Sequence, residues 1–118
     1  MYQFGWFSTG RGKGSRALLE AAQMSIKQSD INAEIAFVFL SREPGESTET
    51  DLFIEQIESY HIPLVCFSYQ KFKAIKGTTS NQQGDLLPQW RLDYDREVMA
   101  RLKGFHPDLG VLAGYMLI

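Results

Sequence analysis

Apolar and polar residues follow one another in blocks along this chain, and the period within the blocks changes. Tyr2 to Phe7 is a short aromatic run that predicts a first strand buried on at least one face. From Ala17 to Ile26 the period becomes helical: Leu19, Ala22 and Ile26 share a face, with Leu18 beside them and Ser15 as the expected N-cap. Gln28 to Asn32 breaks that pattern. Ile35 to Leu40 is unbroken apolar sequence, the mark of a strand covered on both faces. A polar stretch with a Pro44-Gly45 turn leads to Thr48 and Asp51, an acidic variant of the capping box, and then to the stripe Phe53, Ile57, Tyr60 of a second helix. His61-Ile62-Pro63 ends that helix, and Leu64 to Phe67 reads as a third strand. The rhythm is βαβαβ, which predicts a parallel sheet with right-handed crossovers.

Tyr69 to Pro88 departs from this rhythm, and residues 70–89 are expected to form a flexible loop around the polar segment Gly77 to Gly84. Trp90 to Gly104 resumes as a helix with Tyr94, Val98, Arg101 and Phe105 aligned, Leu102 beside them and Gly104 as its stop. Pro107 bars continuation, and Leu109 to Ala113 is a fourth strand. The expectation is one α/β domain with a Rossmann-like parallel sheet of four strands and helices on both faces.

Composition narrows the partners. The chain has 118 residues, 44% of them hydrophobic, which fits one globular domain. A net charge of −2 gives no general attraction to nucleic acid or to an anionic membrane, so neither is an expected partner. One cysteine, Cys66, cannot form an internal disulfide, and no apolar run approaches a membrane span or a secretory signal. A cytoplasmic location is expected.

Chemistry concentrates between the first strand and the first helix, in Thr9-Gly10-Arg11-Gly12-Lys13-Gly14-Ser15-Arg16. Three glycines at alternate positions open conformations closed to residues with a Cβ. A helix start presents unpaired backbone N–H groups and a positive dipole end, and Arg11, Lys13 and Arg16 add charge, so a phosphate is the expected guest. The plainer reading is a strand-to-helix turn with solvated basic side chains. Spacing excludes a full P-loop, because Gly14 follows Lys13 where a Ser or Thr belongs, and G-x-G-x-G is not the dinucleotide fingerprint. Glu43, after the second strand, is available to a ribose. His61 and His106 stand at element boundaries, with capping or surface roles expected and no metal site. Cys66 reads as an inert buried thiol, and Ser8, Thr9 and Ser15 lack an identifiable base. Asp93, Asp95 and Glu97 among Arg91, Arg96 and Arg101 read as a solvated helix face of mixed charge. Met116-Leu117-Ile118 reads as a strand end or a pocket wall.

Two segments carry a resemblance. Tyr94-Asp95-Arg96-Glu97 and Pro107-Asp108-Leu109-Gly110-Val111-Leu112-Ala113-Gly114-Tyr115-Met116 resemble the phosphoribosylglycinamide formyltransferase family, whose pattern there is close to Y-D-R-E, a helix, then P-D-x-x-V-L-A-G-[FY]-M. Gly12-Lys13-Gly14-Ser15 resembles that family's G-N-G-S-N loop, with Lys13 and Arg16 in place of asparagines. The resemblance spans most of the chain and implies strand order 3-2-1-4. It implies that Gly12, Lys13, Gly14 and Ser15 hold the phosphate of a ribosyl substrate. It also implies that Arg91, Met116, Leu117 and Ile118 contact 10-formyltetrahydrofolate as co-substrate, without a metal, in one-carbon transfer for purine biosynthesis.

The family's catalytic Asn, His and Asp have no counterpart here, and His106 does not map onto the catalytic histidine. The resemblance is therefore to the N-terminal half of the enzyme, with no catalytic residue assigned and the 118 residues by themselves expected to be inactive. Self-association through an exposed C-terminal edge is a further expectation. The alternative is a nucleotide- or phosphate-binding Rossmann-like module without chemistry.

Overall fold

The computed structural model describes residues 2–10, 12–28, 32–76, 89–113 and 115. In chain order they form β1 (Tyr2–Ser8), α1 (Lys13–Lys27), β2 (Ala33–Leu40), α2 (Thr48–Ser59), β3 (Leu64–Cys66), α3 (Tyr69–Lys76), α4 (Gln89–Arg101) and β4 (Leu109–Leu112). The strands make one four-stranded, all-parallel sheet in the order β3-β2-β1-β4, as expected.

The unbroken apolar run of β2 does what its pattern predicts and feeds both faces of the sheet. Ile35, Val38 and Leu40 join Trp6 of β1 with Leu19 of α1 and Phe53, Ile54 and Ile57 of α2 in one core. Phe37 and Phe39 serve the opposite core, with Tyr94, Val98 and Leu102. Residues two apart on a regular strand share a face, yet Ile35 and Phe37 do not. The register with β1 slips there: Phe4 is opposite Ile35 and Gly5 opposite Phe37, so Ala36 is the extra residue of a bulge. Gly5 is what makes room for the displaced ring. A Cβ at that position would fall 2.4 Å from Phe37 Cζ. The ring is fully buried, packed edge-on against Phe7 at 5.6 Å and tilted against Phe105 at 4.8 Å between centroids, so it has little room to retreat.

Aromatic packing also fixes α4. Tyr94 stacks on Phe67 at 4.9 Å with the rings within 2° of parallel, and its hydroxyl donates to the Phe67 carbonyl. The Arg101 guanidinium lies 4.1 Å from the Phe67 ring centroid, so this charged residue joins the aligned helix stripe by cation–π contact rather than by burial. Burial, more than any neighbouring charge, pushes the Tyr94 hydroxyl above the usual tyrosine range.

Several boundaries differ from expectation, each for a local reason. Helix α1 begins at Lys13, so its N-cap is Gly12 rather than Ser15, with extended φ of −149° and no side-chain cap. Helix α2 is capped by Ser47 rather than by Thr48: the Ser47 Oγ accepts the Thr50 N–H at 3.1 Å, while Asp51 is drawn away to the Gly45 N–H at 2.9 Å. The expected loop at 70–89 opens instead with helix α3. Its apolar residues are too few to give a period, and Ile75 is exposed. What holds α3 is Ser68, whose Oγ accepts the Lys71 N–H at 3.2 Å, together with Phe72 packed on Phe67 at 5.5 Å. Residues 77–88 of that expected loop lie outside the described residues. Helix α4 ends at Arg101, before Gly104, and tightens through a Phe105 N–H to Leu102 carbonyl bond of 3.0 Å.

His61 has the capping role that its boundary position implied. It takes a left-handed φ of 58° just past α2, donating its N–H to the Glu58 carbonyl at 3.0 Å, while the Ile62 N–H reaches the Ile57 carbonyl at 3.4 Å. Those paired bonds form a Schellman closure, where glycine is the usual occupant.

Two stability measurements check this account. Gly5→Ala should cost about 1–3 kcal/mol in denaturant unfolding through overpacking against Phe37, and the double variant with Phe37→Leu should lose less than the two single losses added. His61→Gly should gain up to about 1 kcal/mol, because relief of a left-handed penalty of about 1–2 kcal/mol exceeds the added freedom of the unfolded chain.

Candidate anion-binding site

The candidate site lies where β1 and β4 end side by side, in the parallel register that sets Phe7 opposite Leu112. Beyond Ser8 the chain turns through Gly10 and enters α1 at Lys13. Gly10 is the glycine that needs its freedom: its φ is +68°, and a Cβ there would meet Phe53 Cδ2 at 3.0 Å. Gly12 and Gly14 differ from expectation. Neither has a positive φ, and a Cβ on either would meet nothing within 4 Å. Their contribution is an uncovered backbone, since no side chain caps the start of α1. The Ser15 N–H turns back to the Gly12 carbonyl at 3.2 Å, so what the turn presents to a ligand is the Lys13 and Gly14 amides and the positive end of the dipole.

In front of it is a pocket of about 300 Å³ lined by Gly12, Gly14, Ser15, Leu18 and Ala113. Two stretches separated by about a hundred residues of sequence thus share one cavity. Lys13, in the same first turn, is exposed. Arg16 is not the loop cation that its position suggested. Its guanidinium is ion-paired to Glu49 in the first turn of α2, and its side chain lines a separate groove with Leu52, Gln56 and Tyr60. Arg11 lies outside the described residues, as do Met116, Leu117 and Ile118.

Arg91 belongs to a second group of polar side chains. Its Nε is 3.3 Å from Asp95 Oδ1, one helical turn on, with the Arg91 side chain mostly covered. Tyr115 stands within electrostatic reach of both. Burial, followed by Asp95, pushes its hydroxyl up to about 12 while Arg91 pulls the other way, and its ring packs against Phe7 and Phe39. Arg91 does not line the glycine-loop pocket. The acids expected on a solvated face are partly engaged: Asp93 lies 3.8 Å from Arg96, and Glu97 lies 3.5 Å from Arg101.

Glu43 does not stand free for a ribose. One carboxylate oxygen accepts the Ser68 N–H at 2.9 Å and the other accepts from Lys71 Nζ at 3.2 Å, so the side chain ties the end of β2 to the start of α3. The Ser68 bond, more than the Lys71 charge, holds its carboxyl below the usual range. Cys66 is half-buried with its thiol pushed up to about 11, chiefly by desolvation, which makes a poor nucleophile.

The apolar periods did not reveal a set of buried hydroxyls beside the site. Ser8, Thr9, Ser41, Thr50 and Ser68 are all buried. The Ser41 hydroxyl donates to Thr9 Oγ1 at 3.2 Å, Ser8 Oγ accepts the Gly10 N–H at 3.1 Å, and the Thr50 hydroxyl donates to the Gly10 carbonyl at 3.1 Å. The available signal was a serine directly after each of three apolar strand runs, at Ser8, Ser41 and Ser68.

No family model matches this chain, and no curated protein matches it. The formyltransferase resemblance accordingly remains a resemblance of quoted segments. Among the described residues, no group of three or more His, Cys, Asp or Glu is placed to hold a metal ion, and no helix is long and apolar enough to cross a membrane.

Glu43 provides a pH test. A carboxylate with a lowered folded pKa contributes stability that is fully present above its ordinary value of 4.5 and is lost as pH falls through the folded value. Unfolding midpoints measured from pH 7 to pH 3 should therefore drop less steeply below about pH 4.5 in Glu43→Gln than in the unsubstituted chain, with the variant already weaker at pH 7.

Proposed function

We propose that this chain is the substrate-binding half of a folate-dependent formyltransferase, holding a phosphorylated ribosyl substrate at the start of α1. The observation that carries the reading is the shared pocket. Gly12, Gly14 and Ser15 come from the segment that resembles the family's phosphate loop, and Ala113 comes from the segment that resembles its P-D-x-x-V-L-A-G stretch. Uncapped amides at a helix start suit a phosphate, and the adjoining Leu18 and Ala113 side chains suit the carbon skeleton attached to it. The carboxyl ends of parallel strands are also where open α/β sheets bind ligands.

Under this reading the co-substrate is 10-formyltetrahydrofolate, and the resemblance assigns its contacts to Arg91, Met116, Leu117 and Ile118. Arg91 stays protonated and suits an anionic or polar folate edge rather than proton transfer. Formyl transfer needs a proton acceptor for the attacking amine and a donor to the developing oxyanion. The resembled family supplies these from an Asn, a His and an Asp without counterparts among these 118 residues. Under this reading these 118 residues supply binding groups, and the acceptor amine belongs to purine biosynthesis by resemblance.

Titration calorimetry with ribose 5-phosphate and with a non-reactive 10-formyltetrahydrofolate analogue tests the proposal. Both should bind, with amide shifts at residues 12–15 for the phosphate ligand, and Lys13→Ala should weaken that ligand about fivefold through loss of one exposed cation. Binding of the phosphate but not of the folate analogue would favour the non-catalytic module. Shifts confined to other residues would reduce the glycine loop to a turn.

A further inference from the structure

We infer that Thr50 is a positioning residue for the glycine loop, setting the path of residues 12–15 by its hold on Gly10. The inference rests on the anion-binding role proposed above for that loop. Gly10 carries the left-handed turn between β1 and α1, and both of its backbone polar groups are held by buried hydroxyls from different elements. Its N–H donates to Ser8 Oγ at the end of β1, and its carbonyl accepts from Thr50 Oγ1 in the first turn of α2, each at 3.1 Å. Thr50 is 0% exposed, so no water replaces that bond. Its hydroxyl hydrogen is committed to Gly10, which makes Ser47 the donor in the 2.9 Å contact between the Ser47 and Thr50 hydroxyls. Ser47 Oγ accepts the Thr50 N–H in return. The result is a polarised relay from the cap of α2 to the loop peptide.

Packing fixes the third direction. Phe53, one turn further along α2, lies directly against Gly10, so the loop is pinned from below by a ring and at both polar groups by hydroxyls. The α1 start is tied to α2 again through Arg16 and Glu49, and through Gln56 Nε2 donating to the Arg16 carbonyl at 3.0 Å. None of these residues lines the pocket in front of Gly12 and Gly14. Their action on a bound anion runs through the backbone, by pre-setting the direction of the first-turn amides. A loop held before the ligand arrives has less ordering left to do on binding.

The test compares Thr50→Val, which keeps the shape and removes the hydroxyl, with Thr50→Ser, which restores it. Ile57→Val serves as a control that weakens the core of the same helix away from the loop. Ribose 5-phosphate affinity is read by calorimetry, and ligand-free amide shifts at residues 12–15 by NMR. Thr50→Val should lose about tenfold in affinity and displace those amides before ligand is added, because a buried carbonyl has lost its donor. Thr50→Ser should regain most of both, and Ile57→Val should change neither. If Thr50→Val does not give a dispersed spectrum, Ser8→Ala releases the Gly10 N–H on the other side of its Cα and carries the same expectation. A folded variant that binds as the unsubstituted chain does, or an equal loss in Ile57→Val, overturns the positioning role alone. Failure of the unsubstituted chain to bind ribose 5-phosphate overturns the site itself.

Discussion

Burial of β2 on both faces is the constraint from which the rest of the architecture follows. A strand that contributes Ile35, Val38 and Leu40 to one core and Phe37 and Phe39 to the other has to be an inner strand of a sheet with cover on each side. Parallel pairing meets that need, since its crossovers carry helices across the faces. The two cores are different in kind. The α1–α2 side is largely aliphatic around Trp6, whereas the α4 side is an aromatic assembly of Phe37, Phe39 and Tyr94 with Phe7, Phe67, Phe72 and Phe105 against it. Larger rings need more depth beneath them. The bulge at Ala36 and the missing side chain at Gly5 supply it at the one place where Phe37 would otherwise meet the backbone of its neighbour.

The carboxyl end of the sheet poses a different problem, because three chain reversals leave polar backbone in a covered place. Ser8 and Ser68 answer it by accepting the Gly10 and Lys71 N–H groups, while Ser41 bonds the Thr9 hydroxyl beside them. A typical hydrogen bond adds only about 1 kcal/mol net, but leaving such a group unpaired in the interior costs about 1–3 kcal/mol. The hydroxyls of Ser8, Ser41 and Thr50 matter most for that second figure. They let the loop cross the sheet end with its polar groups paired, in a conformation that leaves the start of α1 without a side-chain cap.

Most of the architecture was legible in the sequence, because period and continuity report on how many faces of an element are buried. The strands, the three longer helices and the parallel class follow from runs such as Ile35 to Leu40 and stripes such as Leu19, Ala22 and Ile26. Helix α3 was not legible. Its eight residues hold through the local Ser68 cap and through contacts distant in sequence, Glu43 on Ser68 and Lys71 and the Phe72 ring against Tyr94, with Tyr69 packed on the same core. The glycine loop was legible as a place and misread in its parts. Three glycines look equivalent on paper, while the fold uses the left-handed freedom of Gly10 and leaves Gly12 and Gly14 as bare backbone. Arg16 was credited to the loop because helix position alone does not reveal that Glu49 of α2 lies within reach. The hydroxyl set was missed because a serine after an apolar run is equally common in an ordinary turn.

The sheet order also sets a timetable for folding. β1 precedes the strands it pairs with, and one of its edges finds β2 after about thirty residues, as Tyr2 meets Ala33. Its other edge belongs to β4, and the Gln3 N–H that bonds the Asp108 carboxylate waits for a partner 105 residues away. Throughout synthesis the nascent sheet therefore carries an unpaired inner edge of aromatic sequence. Closing so long a loop is slow relative to local pairing, and exposed strand edges are where growing chains pair wrongly.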